Sequence, residues 1–157
     1  LNVIGELSLV AGAPGLVGGQ VVDLECEGKE VDLKTLEYIH LHKTGALLKA
    51  CVRTGAMIAG ANQELLKALT TYAEGIGLAF QIIDDILDLT SSSEKLGKTA
   101  GKDLLADKTT YPKLLGMEES KKRAIDLVKK AKKAIEPWGS DAKYLVSLAD
   151  FITNRDR

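Results

Sequence analysis

Residues 77–90 read GLAFQIIDDILDLT: three aspartates, Asp84, Asp85 and Asp88, sit inside a run that is otherwise almost wholly apolar. At about 100° per residue of helix, these three fall with Glu74, Gly77 and Gln81 in one strip roughly 100° wide. Phe80, Ile82, Ile83, Ile86 and Leu87 take up most of the remaining circumference. A helix apolar over more than half its surface is normally surrounded by other helices. Its acidic strip is therefore expected to line a cleft rather than face open solvent.

The rest of the sequence is helical in pattern. Aromatic residues make up only 4%, and alternating β-branched runs bounded by turns are absent, so no strand is predicted. A first helix is expected over about 1–11, ending at the breaker Gly12-Ala13-Pro14-Gly15. LVGGQVVDLECEG supplies a second, stopping near Gly28. Asp32 reads as the N-cap of a long helix over about 33–59, ended by Gly60. Asn62 caps the next, which runs to about Leu89, roughly 40 Å at 1.5 Å per residue. Residues 90–112, TSSSEKLGKTAGKDLLADKTTYP, read as a polar loop. A helix over about 117–136 carries Ala124, Ile125, Val128, Ala131 and Ile135 on its apolar face, and Pro137-Trp138-Gly139 closes it. A last helix starts at Asp141, with Leu145, Leu148, Ala149 and Ile152 on one side. With no internal repeat and no long linker, residues 1–157 are expected to form one all-α domain.

Composition narrows the function. The 21 basic and 22 acidic residues leave a net charge of -1, which gives no electrostatic reason to expect nucleic acid or an anionic membrane as partner. No uninterrupted apolar stretch approaches the ~18 residues of a membrane span. Cys26 and Cys51 lack the spacing of a zinc site and are expected to be buried free thiols. The chain opens on Leu1 and enters an apolar stretch directly. Its natural N-terminal part, with any targeting segment, is therefore expected to be missing.

For a charge cluster the plain alternative is a solvated helix face. Here all the charges have one sign, and no Lys or Arg stands at i±3 or i±4 to relieve them. Carboxylates about 5 Å apart repel by roughly 3 kcal/mol at an effective dielectric near 20. A divalent cation removes that repulsion, and oxygen ligands without His or Cys select Mg²⁺ or Mn²⁺. Mg²⁺ takes one or two carboxylates and completes its octahedron with water and phosphate oxygens, so the strip predicts a phosphorylated ligand.

Lys43 strengthens that expectation. On a regular helix it is centred on a stripe of Leu36, Ile39, Leu47, Ala50, Thr54 and Met57. A lysine so placed either snorkels outward or meets an anion. His40 and Thr44 add hydrogen-bond donors nearby, and His40 and His42 read as non-metal residues. Lys95, Lys98, Lys102 and Lys108 follow the acidic strip, interspersed with Gly97 and Gly101. Glycines let backbone N–H groups approach phosphate, and lysines supply point charges.

These residues resemble a known family. FQIIDDILD is similar to the second aspartate-rich motif of the trans-isoprenyl diphosphate synthases. HKTGALL resembles their Lys-Thr motif, and GGQVVDL their GQxxD segment. LGKTAGKDLLADKTTYP resembles the lysine-bearing loop of the plant-plastid and bacterial geranylgeranyl diphosphate synthases. DDxxD alone is shared with terpene cyclases, in which the Lys-Thr and GQxxD motifs have no role. The resemblance implies the second half of an isoprenoid-synthase-type helical bundle around a deep cavity, and a homodimer or a heteromer with another synthase subunit. It implies condensation of isopentenyl diphosphate with an allylic diphosphate, to a geranylgeranyl product. Mg²⁺, with Mn²⁺ as a substitute, assists departure of the diphosphate, the isopentenyl double bond attacks the resulting carbocation, and a proton is then lost.

Carried over by motif, Asp84, Asp85 and Asp88 match the metal-binding carboxylates and Gln81 their neighbour. Lys43 and Lys98 match lysines on the allylic diphosphate. Thr44 and Gln20 match polar groups facing the carbocation. Lys108 matches another basic residue near the diphosphates and Asp23 a carboxylate near the metals, while Lys102 is assigned no role. Gly45 stands where the family more often has Ala. The first aspartate-rich motif does not occur before Asp84. The chain is thus expected to be a C-terminal portion, inactive alone. The alternative is a non-catalytic, small-subunit-like partner of a complete synthase. The resemblance fits a plastid, if the source is a plant, or a bacterial cytoplasm.

Overall fold

The computed structural model describes residues 1–95 and 108–155. Among them there are helices and no strands, as the sequence predicts. Helix α1 covers Asn2–Ala11 and α2 Leu16–Glu25, separated by the expected Gly/Pro break. Helix α3 (Leu33–Ile39) begins at Asp32, whose Oδ1 accepts from the Thr35 N–H at 2.8 Å. It continues without a break through a π-helical stretch, His40–Gly45, into α4 (Ala46–Ile58). Asn62 Oδ1 accepts from Leu65 N–H at 2.9 Å and caps α5, Gln63–Lys95. Its 33 residues make a rod of roughly 50 Å, one and a half turns longer than expected, because the polar residues after Leu89 continue the helix. A short α6 (Tyr111–Leu115) leads into α7 (Met117–Ile135). A 3₁₀ segment, Glu136–Ala142, breaks at Gly139 and delays the last helix, α8, to Lys143–Asn154.

The core is built around α5. Tyr72, Ala73, Ile76, Leu78, Ala79, Ile82, Ile83 and Ile86 are buried in one cluster. Ala124, Val128, Ala131 and Ile135 of α7 and Ala149 and Ile152 of α8 belong to the same cluster. Each large apolar side chain so buried contributes about 1.5–3 kcal/mol relative to exposure. Ile125 and Leu148, placed on the apolar faces from the sequence, are 45% exposed.

The π turn changes the register of the long helix. One extra residue per turn rotates everything beyond it relative to a regular α-helix. Leu36, Ile39 and Ala50 are buried as the regular pattern predicts, but Leu47 is exposed and Ala46 takes an inward position. The cysteines also depart from expectation. Both are free, yet Cys26 at the end of α2 is half-buried and Cys51 on the outer face of α4 is exposed.

Residues 2–25 are apolar and long enough in composition to pass for a bilayer span, with mean hydropathy 1.4. They do not form one continuous helix. The break at 12–15 divides them, and Glu6 and Asp23 are committed to ion pairs with Arg53 and Lys43.

Candidate functional site: a polar face on the π turn

Helix α2 meets the π turn at very short range, and glycine makes that possible. A Cβ built on Gly19 would lie 2.3 Å from the Lys43 backbone nitrogen and 2.8 Å from His42. Only a hydrogen fits there. Gly77 plays a milder version of the same part on α5, where a Cβ would stand 3.3 Å from the Gly45 Cα. The π turn is thus held between α2 and α5, and its side chains are presented to both.

Two polar runs start from adjacent residues of that turn. Lys43 Nζ lies 2.5 Å from Asp23 Oδ2, and Lys108 Nζ lies 3.9 Å from Asp23 Oδ1. Asp23 is nearly buried, whereas the two lysines are more open. Asp23, His40 and Lys108 also line a cavity of about 490 Å³. The second run begins at Thr44, whose hydroxyl donates to Gln81 Oε1 at 3.3 Å. Gln81 Nε2 in turn donates to Asp84 Oδ2 at 3.2 Å. Gln20, half-buried on α2, follows directly after Gly19.

The three aspartates do not share one environment. Asp84 is half-buried and ion-paired with Arg155, whose guanidinium also stacks on Phe80 with 4.0 Å from its carbon to the ring centre. Arg155 Nε is buried without a partner. Burial raises the Asp84 carboxyl above its ordinary range, against the opposing pull of Arg155. Asp88 is exposed, one turn further along the same side of α5. Asp85 is only 8% exposed and faces the protein interior. Its Oδ2 accepts from the Tyr111 backbone N–H at 2.9 Å and lies 3.2 Å from His40 Nε2.

The cleft-lining strip expected from the helical wheel is therefore divided: Asp84 and Asp88 face outward, and Asp85 turns in. Among the described residues no three His, Cys, Asp or Glu side chains converge as a ready metal cage. Two outward carboxylates with hard oxygen donors nevertheless fit a magnesium ion, which draws most of its ligands from water and phosphate.

Lys98 and Lys102 lie outside the described residues. The sequence missed the partners of Asp85 and Asp84. His40 was legible as a donor, but its acceptor is 45 residues away. Arg155 carries no local signal at all.

Comparison with known proteins gives a consistent outcome. The family model described as Polyprenyl synthetase matches residues 8–145. A dimethylallyltranstransferase of Fischerella ambigua is 56% identical, the match covering 99% of this chain and 45% of the relative. A chloroplastic geranylgeranyl pyrophosphate synthase of Capsicum annuum is 51% identical, with 99% and 43% covered. Among solved structures, a putative farnesyl-diphosphate synthase from Marinomonas sp. MED121 superposes with a TM-score of 0.84 at 40% identity, covering 98% of this chain and 52% of the other. A Helicobacter pylori geranyltransferase, complexed with magnesium and isoprenyl diphosphate, gives 0.76 at 30% identity, covering 98% and 50%. The chain spans about half the length of the curated relatives it matches.

Proposed function

Because this chain belongs to the polyprenyl synthetase family, we propose that it forms part of a prenyltransferase joining isopentenyl diphosphate to an allylic diphosphate, with a geranylgeranyl product. The observation that carries this reading is the pair of polar runs leaving the π turn, Lys43 to Asp23 and Thr44 through Gln81 to Asp84. They tie a cationic donor, Lys43, and the outward Asp84 carboxylate of α5 to neighbouring residues of one turn, as a metal-bound diphosphate requires.

Lys43 and Lys108 bind diphosphate oxygens, exchanging Asp23 for the substrate anion. Thr44 and Gln81 orient the Asp84 carboxylate, and Asp84 and Asp88 hold Mg²⁺ or Mn²⁺. An ion held by these two carboxylates would supply positive charge to offset that of a departing diphosphate. The magnesium reported with the Helicobacter pylori geranyltransferase supports the choice of ion.

The relatives carry about twice this chain's length, which supports the expectation that these 157 residues alone give no condensation at enzymatic rates. Ile4, Leu7 and Leu9 of α1 and Val17, Val21 and Leu24 of α2 are exposed apolar side chains. They support association with another chain, as a homodimer or a heteromer.

Calorimetric titration with a non-hydrolysable allylic diphosphate analogue tests the site. Binding should require Mg²⁺ and weaken at least about tenfold in Lys43→Ala and in Asp84→Ala, since a charge-assisted contact is worth roughly 1.5–3 kcal/mol. Binding unchanged by both substitutions rejects the assignment.

A further inference from the structure

We propose that the three aspartates divide their work: Asp85 is an internal positioning residue, held by His40 and the Tyr111 backbone, while Asp84 and Asp88 alone face the metal. This inference rests on the metal–diphosphate reading above and assigns roles within that site.

Asp85 is pinned from two other elements at once. The Tyr111 N–H comes from the first residue of α6, and His40 from the first residue of the π turn. Ionised Asp85 has only acceptors, so the contact is satisfied when Nε2 of His40 carries the proton. His40 is itself fixed, being 5% exposed and stacked on the Tyr111 ring with centroids 5.7 Å apart and planes 11° from parallel. Tyr111 is completely buried, and its hydroxyl donates to Glu37 Oε1 at 3.0 Å. Glu37 is ion-paired with Arg123 of α7. Asp85 therefore ends a connected chain of polar groups that joins α3, the π turn, α5, α6 and α7. Both contacts fall on Oδ2, and with the residue only 8% exposed the carboxylate is turned away from the outward side of α5 that carries Asp88.

Helix geometry says what the anchor does. Asp84 and Asp88 are about 40° apart around α5, whereas Asp85 is about 100° from Asp84. Holding Asp85 inward fixes the roll of the helix about its axis, so Asp84 and Asp88 are aimed together. Side-chain tips lie about 6 Å from the axis, so a roll of only about 10° moves a carboxylate by about 1 Å. A ligand set tolerates less than that. Outer partners that orient metal ligands commonly cost about 10–100-fold in affinity when removed.

Manganese binding in the presence of inorganic pyrophosphate, followed by the electron paramagnetic resonance of free Mn²⁺, separates the roles in the full chain. Asp84→Asn and Asp88→Asn should each lower affinity at least about tenfold, Asp88→Asn with the melting temperature nearly unchanged. Asp85→Asn keeps an acceptor for the Tyr111 N–H and should stay within about threefold of wild type. His40→Ala should lose about tenfold, and His40→Gln, whose amide can donate to Asp85, should recover most of it. A loss in Asp85→Asn equal to that in Asp84→Asn overturns this inference alone. So does a failure of glutamine to rescue while His40→Ala loses affinity. Binding that survives both Asp84→Asn and Asp88→Asn overturns the metal–diphosphate reading and this inference with it. If His40→Ala shows no cooperative melt, the comparison of Asp85→Asn with Asp84→Asn decides the matter.

Discussion

Lys43 Nζ stands 2.5 Å from Asp23 Oδ2, so the lysine best placed for a substrate anion already holds one from its own chain. Lys108 leans on the same carboxylate from the other side, at 3.9 Å. Asp23 thus competes with any incoming diphosphate for both cations. In Asp23→Asn the competitor is removed, and metal-free binding of inorganic pyrophosphate should tighten by about 3–10-fold at low salt. The gain should shrink as ionic strength rises, because charges this open are screened. Isothermal titration at two salt concentrations measures it.

Arg155 does for Asp84 what the helix itself does not. It reaches from beyond α8 to pair with the carboxylate and to cover Phe80. A divalent ion binding at Asp84 as proposed would have to displace it. Arg155→Met should therefore raise Mn²⁺ affinity severalfold. It should also lower stability by about 1–3 kcal/mol, since a half-buried carboxylate is left without its partner. Metal titration and thermal melting, run on the same sample, give both numbers.

Gly19→Ala should be the most damaging small change near the site. The new methyl would collide with backbone atoms of Lys43 and His42, which have nowhere to move. A loss of about 2–3 kcal/mol is expected from overpacking, together with weaker pyrophosphate binding as Lys43 is displaced. Gly77→Ala, meeting the Gly45 Cα at 3.3 Å, should cost about 1 kcal/mol or less. Chemical denaturation of the two variants tests the ranking.

Much of this arrangement was legible in the sequence, and what was not has a physical cause. Caps are local, so Asp32 and Asn62 announced their helices correctly. The apolar face of α5 was legible for the same reason. The π turn was not, because nothing in HLHKTG distinguishes an added residue from a regular turn, and the misplacement of Leu47 follows from it. The acidic strip looked uniform because a helical wheel holds only one helix. Whether an aspartate on it turns inward depends on His40 and Tyr111, which the fold brings in from other elements. Gln81, Thr44 and Lys43 were recognisable by motif, but the hydrogen bonds that link them belong to packing.

Tyr72 gives a pH test remote from the site. Its ring is fully buried and its hydroxyl donates to the Leu145 carbonyl at 2.7 Å. Burial pushes its ionisation up to about 12 from an ordinary 10. The folded protein therefore holds this proton more tightly than the unfolded chain. The corresponding stability is complete below about pH 10 and is lost as pH rises toward about 12, by roughly 2–3 kcal/mol. Tyr72→Phe should cost about 1–3 kcal/mol at neutral pH, where it leaves the Leu145 carbonyl unpaired. The variant should then lose less stability than wild type across the alkaline range, as urea melts at several pH values would show.

If the outward carboxylates of α5 and the lysine of the π turn grip one metal-bound diphosphate, metal and anion should be visible together in a crystal. The most direct measurement is an anomalous difference map from crystals of this chain grown with Mn²⁺ and pyrophosphate. A manganese peak is expected within coordinating distance, about 2.2 Å, of Asp84 or Asp88 oxygens, with pyrophosphate touching Lys43 and Arg155 displaced. Manganese bound through Asp85, or bound away from α5 with Asp84 still paired to Arg155, would contradict it.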